Sequence, residues 1–362
     1  MGLKIEDYAL IGDCETAALV GNNGSIDWLC FPRFDAAACF AALLGNAEHG
    51  RWLLAPVEKI TRVKRRYQGD TLVLETVFDT ESGSVAVIDF MPINDERYDL
   101  VRIVEGRRGA VRMQTEYVVR FDYGSAVPWV HTEDGEVIAV AGPESLHLKT
   151  PVKLRGENFK TVGEFDVHEG QRLAFVLTWH KSHEPVPECV DPFDALKFTL
   201  NWWNKWSNRC HSSRTNEGVY HEAVVRSLIT LKALTYHPTG GVVAAATTSL
   251  PEHIGGSRNW DYRYCWLRDS TFTLSALVQS GYVEEAKAWR KWLLRAIAGK
   301  PSQLHIMYGL AGERRLPEMT LPWLPGYENS APVRIGNGAH DQFQLDVFGE
   351  VLDTLYQGRR LG

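Results

Sequence analysis

The chain is short of three things: long apolar runs, positive charge and cysteine. No run of eighteen apolar residues occurs, so no segment could cross a bilayer as a helix and no membrane partner is expected. Lys and Arg number 39 against 45 Asp and Glu, a formal net charge of −6. The densest basic stretch, Lys64, Arg65 and Arg66, reads as a solvated strand end, and a nucleic-acid partner is not expected. The six cysteines (Cys14, Cys30, Cys39, Cys189, Cys210, Cys265) include no C-x-x-C pair. They read as reduced, mostly buried thiols rather than a disulfide frame. The start, MGLKIEDYALIGD, shows neither a basic segment leading into an apolar one nor a myristoylation pattern, which makes cytoplasmic residence the expectation.

Cofactor and metal signals are equally sparse. WHKSHE sets His180 and His183 beside Glu184, but at a strand end with no third ligand at a standard spacing, so no metal is expected. GNNGS at Gly21 to Ser25 lacks both the Lys-Ser/Thr pair and the following helix of a phosphate loop. Hairpin-turn chemistry accounts for it. No cofactor is expected.

What the chain does have is two halves with different periods. Up to about residue 180, short β-rich segments alternate with turn signals. TLVLETVFD and SVAVIDFM flank a turn at Glu81 to Gly83, and VRIVEG with VRMQTEYVVRFDYG reads as a second hairpin around Arg107 to Gly109. Regular strands without helical crossovers predict an antiparallel β-sandwich. FDAAACFAALLG is the exception, read as one short helix. From Asp191 the period becomes helical: Phe193, Leu196, Leu200, Trp203 and Trp206 recur at three- and four-residue steps in a linker helix. Further helices are predicted over 220–236, 270–280, 284–298 and 341–357, the last with Leu345, Phe348, Leu352 and Leu355 on one face. Long polar, aromatic loops join them, and loops of that length in a compact unit are usually functional. The expected domains are a sandwich over 1–185, a linker with a helix over 186–214 and a helical region over 215–362.

One loop stands out. RNWDYRYCWLRDS, from Arg258 to Ser270, packs two tryptophans, two tyrosines, three arginines and two aspartates into one segment. Flat rings set among guanidinium and carboxylate groups suit a polyhydroxylated ring, whose C–H face stacks while its hydroxyls need fixed donors and acceptors. The alternative stands beside it: Trp260 and Trp266 as core, Arg268 in a surface ion pair, Asp269 as a helix cap.

Four segments, in order, resemble glycoside hydrolase family 15, the trehalase-like and glucoamylase-like proteins: IGDCETAALVGNNGSIDWLCFPRFD, RNWDYRYCWLRDS, MYGLAGERRLPE and GYENSAPVRIGNGAHDQFQLDVFGEV. The resemblance spans Ile11 to Val351. It implies an N-terminal antiparallel β-sandwich followed by an (α/α)6 toroid, and an inverting, exo-acting hydrolase that takes α-linked glucose oligosaccharides or disaccharides such as trehalose. Trp266, Arg268 and Asp269 fall on the family's W-x-R-D pattern, which implies that Arg and Asp bind hydroxyls of the terminal glucose while Trp borders the ring. Trp323, Tyr327 and Arg334 are candidates for the outer sugar sites.

The catalytic pair is not found. Inversion needs two carboxyl groups roughly 6.5–9.5 Å apart, and the chain has no Trp-Glu pair, where the family places its acid. Glu252, Glu318 and Glu328 lie in the long loops, where solvation or pairing with Arg258, Arg314 or Arg334 explains them. Twelve helices of roughly 11 residues with connections of about 6 need some 200 residues, more than residues 215–362 supply. The toroid is therefore expected to be incomplete, with the general acid and base beyond Gly362 and this chain inactive alone. A non-catalytic sugar-binding protein and an α-glucoside phosphorylase are the competing readings. The sequence does not fix the oligomeric state.

Overall fold

The computed structural model describes residues 2–93, 97–210 and 220–360. It divides into two compact units. One comprises residues 1–13, 17–32 and 36–204; the other comprises 14–16, 33–35 and 205–362.

The first unit is the expected antiparallel sandwich. Its strands are β1 (Tyr8–Gly12), β2 (Ala17–Gly21), β3 (Ser25–Cys30), β4 (Ala38–Phe40), β5 (Arg51–Pro56), β6 (Arg62–Tyr67), β7 (Leu74–Asp79) and β8 (Gly83–Phe90). There follow β9 (Tyr98–Val118), β10 (Trp129–Glu133), β11 (Glu136–Ala141), β12 (Glu144–Lys149), β13 (Arg155–Glu157), β14 (Lys160–His168) and β15 (Arg172–Lys181). One apolar core lies between the layers, drawing Trp52 and Leu54 from one and Val87, Leu146 and Leu177 from the other. Arg102, fully buried, bonds Asp89 in its own layer and the carbonyls of Trp52 and Gly24 in the other. The outer face of the second layer, with Ile88, Val101 and Val176, is covered by Ala195, Leu196 and Leu200 of α1 (Pro192–Ser207). Asp191 opens that helix, its carboxylate accepting from the amides of Phe193 and Asp194, as an N-cap does.

Two expectations are corrected here. The hairpin expected at Arg107–Gly109 is absent: 98–118 is one 21-residue strand, pairing β8 and β15 along its first half and β5 and β14 along its second. Gly106 and Gly109 serve the passage between layers. A Cβ on Gly106 would lie 2.0 Å from the His168 carbonyl oxygen, and glycine permits that approach without a chain reversal. FDAAACFAALLG is not a helix either. Ala38–Phe40 is a strand on β3, followed by a single 3-10 turn, Ala42–Leu44. Burial of Ala38, Cys39 and Phe40 in the sandwich overrides the alanine preference for helix.

The second unit holds α2 (His221–Ala233), α3 (Leu267–Gln279), α4 (Val283–Ala296) and α5 (Asp346–Arg360). Its long loops are organised by short pairs: β16 (Thr248–Pro251) with β17 (Asn259–Asp261), β18 (Cys265–Trp266) with β19 (Met307–Tyr308), and β20 (Met319–Thr320) with β21 (Arg334–Ile335). The last helix begins later than expected, after a 3-10 turn at Gly338–Asp341, and buries a different face. Val347, Val351 and Thr354 point inward, whereas Leu345 and Leu352 are 76% and 68% exposed. The rotation is set by contacts with α3: Arg268 reaches Asp346, and Thr271 bonds Thr354 hydroxyl to hydroxyl at 2.9 Å. Among the described residues no helix is long and apolar enough to cross a membrane, and the six cysteines form no disulfide.

Candidate active site

The two aspartates of RNWDYRYCWLRDS have opposite surroundings. Asp261 is fully buried and holds Arg263 in a fork, Nε to Oδ1 at 2.9 Å and Nη2 to Oδ2 at 2.7 Å. It also accepts from the Arg263 amide and from the amide of Gly336, while its carbonyl takes the side-chain amide of Asn337. Arg263 continues to the Phe34 carbonyl. This pair braces the segment against residues 336–337, which places it in the scaffold rather than at a ligand.

The second pair faces solvent. Trp266, with extended backbone, is the N-cap residue of α3 but makes no side-chain cap bond. Asp269 lies in the helix's first turn, so the capping role considered for it is not what the structure shows. Its carboxylate is half exposed, 3.9 Å from the Arg268 guanidinium, which also reaches Asp346 at 3.3 Å. A carboxylate in a first helical turn sits in favourable potential from the helix amides. The Trp266 ring lies 5.9 Å from that of Tyr262, tilted at 47°. Burial pushes the Tyr262 phenol above its ordinary range, and the carboxylates of Glu252 and Asp269 push it the same way. Neither Tyr262 nor Asp346 is singled out by the sequence: Tyr262 is one ring among several, and nothing local marks Asp346.

Arg334 lies over the Trp260 ring, 4.6 Å from guanidinium carbon to centroid, a cation–π arrangement. It donates to the carbonyls of Ser257 and Asn259 and pairs with Glu318 at 3.3 Å. Trp260 in turn donates to Glu252, which also pairs with Arg258 at 2.9 Å. The pairing expected for Glu252 and Glu318 is therefore present; Arg314 instead caps the carbonyls of Gln303, Ala296 and Ala298. Trp323 is exposed, at 41%. Tyr327 is buried in the 3-10 turn Tyr327–Asn329, a packing position. Exposed Glu328 has φ 47°, a left-handed conformation that is uncommon outside glycine. Among the described residues no cluster of His, Cys, Asp or Glu is arranged to hold a metal ion. His180 lies next to the end of β15, with one ring nitrogen on the Lys181 carbonyl.

Two family profiles match the chain: "Trehalase-like, N-terminal" over residues 2–164 and "Glycosyl hydrolases family 15" over residues 218–361. A trehalase of Mycolicibacterium smegmatis is 36% identical over 97% of this chain and 56% of its own length. A trehalase of Mycobacterium tuberculosis is 34% identical over 97% and 55%, and trehalase 1 of Sulfolobus acidocaldarius is 33% identical over 98% and 60%. The chain thus spans little more than half the length of these curated relatives. A bacterial glucoamylase solved in complex with acarbose superposes with a TM-score of 0.57 at 12% identity, covering 86% of this chain and 53% of that one; it supports the fold. Matches of both regions, in the order seen in relatives that align along nearly the whole chain, show that the chain belongs to glycosyl hydrolase family 15, with a trehalase-like N-terminal region.

Proposed function

We propose that this chain carries the sugar-recognising part of an inverting, exo-acting α-glucoside hydrolase, with trehalose as the substrate. The observation that carries the reading is the solvent-facing group at the start of α3: the Arg268 guanidinium between two carboxylates, Asp269 and Asp346, with the Tyr262 and Trp266 rings alongside. Such a group offers charged donors and acceptors at fixed positions next to a flat apolar surface, the combination a terminal glucose requires. Asp269 and Arg268 bind hydroxyls, Trp266 borders the ring, and Trp323 and Arg334 serve the outer sugar sites. The substrate choice follows the trehalases among the relatives. Hydrolysis with inversion needs one carboxylic acid to protonate the leaving oxygen and one carboxylate to activate water. We assign neither role to a residue of this chain.

The test is trehalose binding by calorimetry. Asp269→Asn keeps size and removes charge, so affinity should fall by about 1.5–3 kcal/mol, the range for a hydrogen bond to a charged group. Unchanged affinity would refute the assignment. A second reading, sugar binding without turnover, is supported by the engagement of Glu252 with Arg258 and of Glu318 with Arg334. Glucose release from trehalose by the purified chain separates the two.

A further inference from the structure

At one edge of the sandwich lies a cavity of about 420 Å³, lined by residues of β10, of the β13–β14 hairpin and of the end of β9. That volume is within the range of small-molecule sites. Trp129 opens onto it 71% exposed, its ring stacked on His131 at 4.6 Å and 25°, and Phe159 lines it 84% exposed. Two large rings held this far out of the core add nothing to folding by burial.

The backbone makes Phe159 more unusual still. The β10–β11 and β13–β14 hairpins both turn on two residues with positive φ, Asp134 and Gly135 in the first, Asn158 and Phe159 in the second. That geometry favours Asn-Gly or Asp-Gly, because the second residue needs a conformation that a side chain opposes. The first hairpin has the glycine. The second has phenylalanine at φ 60°, a strained position for a bulky residue and one that displays its ring at the cavity mouth. Deeper in, Tyr117 is 2% exposed and lines the same cavity, and its hydroxyl has no hydrogen-bond partner among the described residues. A phenol sealed in an apolar core ordinarily finds one. The rim carries both signs, with Arg155 paired to Glu157 at 3.3 Å and Lys160 to Glu48 at 2.7 Å. Mixed charge disfavours an ionic ligand of either sign, whereas exposed ring faces with donors and acceptors around them favour a neutral polyhydroxylated one.

We infer that this cavity is a second carbohydrate site, separate from the one on α3, that takes a linear α-linked glucose oligosaccharide across Trp129 and Phe159. The choice of an α-linked glucose chain rests on the reading given under Proposed function; the cavity and its exposed rings do not.

The experiment titrates the 362-residue chain with maltoheptaose, by calorimetry and by following the indole N–H resonance that disappears in Trp129→Ala. That resonance should shift, and Trp129→Ala and Phe159→Gly should each weaken binding at this site by about tenfold or more. Glycine suits φ 60°, so Phe159→Gly should melt at or above the wild-type temperature while losing the sugar. An unmoved resonance, an affinity indifferent to both substitutions, or no binding at millimolar sugar overturns the inference. Asp269→Asn keeps the two readings apart. If it weakens trehalose binding while the Trp129 resonance stays still, the cavity fails and the α3 site stands; the reverse pattern spares the cavity alone.

Discussion

Replacing Asp261 by Asn tests whether the core of RNWDYRYCWLRDS is a brace. The side chain keeps its shape but loses the charge that faces Arg263, and both partners are almost wholly inaccessible, at 0% and 1%. Breaking a buried pair by removing one charge costs about 3–5 kcal/mol, because the other charge stays buried without that partner. The Phe34 carbonyl still accepts from Arg263, and an asparagine oxygen can keep one of the remaining bonds, so about 3 kcal/mol is the better expectation. For a unit of roughly 150 residues, each kcal/mol lowers Tm by about 2–4 °C, giving a fall of roughly 6–12 °C. Scanning calorimetry of the full chain should show the loss. A loss below about 1 kcal/mol for Asp261→Asn would refute the argument.

Two further outcomes follow from the helical unit. Burial opposes ionisation of Glu285, but Lys232, the Trp206 indole and Arg209 together outweigh it and hold its carboxyl below the ordinary 4.5. A depressed folded-state pKa stabilises at pH values above the unfolded one and ceases to do so as pH falls through the folded one. Glu285→Gln should therefore lower stability near neutrality by about 1–3 kcal/mol, and denaturant melts of the two proteins should converge as pH falls below the ordinary carboxyl range. Gly336→Ala meets a harder obstacle, with φ at +72° and a Cβ that would lie 1.9 Å from the Pro317 carbonyl oxygen. It should cost more than about 2 kcal/mol by urea denaturation, since the left-handed conformation alone costs roughly 1–2.

The change from a two-residue to a helical period was legible in the sequence because each layer buries one face, and burial writes its period into the chain. Glu81–Gly83 reads correctly as a turn because polar residues interrupt two apolar runs and the strands on either side pair directly. Arg107–Gly109 presents the same signal, yet there the glycines let one strand change layers, and nothing local separates a bend from a reversal. The inward face of α5 was lost for a similar reason: its rotation depends on Arg268 and Thr271 of another helix. At the site, Trp266, Arg268 and Asp269 were visible as a motif, but Asp261 and Asp269 are the same residue type in the same segment. Gly336 and Asn337, some 75 residues later, bury one and leave the other to solvent. Arg33 and Phe34 show the same limit, since residues 33–35 leave the sandwich sequence to join the helical unit, where Arg33 pairs with Glu313.

Strand β9 gives the sandwich a mechanical property that neither layer has alone. Its residues are hydrogen-bonded on both sides, to β8 and β15 before the glycines and to β5 and β14 after them. A pull on either end is therefore resisted by shear across several ladders at once, and Arg102, in the first half, anchors it further to Trp52 and Gly24. Peeling one layer strips half the partners from a segment that the other layer also needs. The sandwich should accordingly yield as a single cooperative unit, with the amides of β9 the last to exchange.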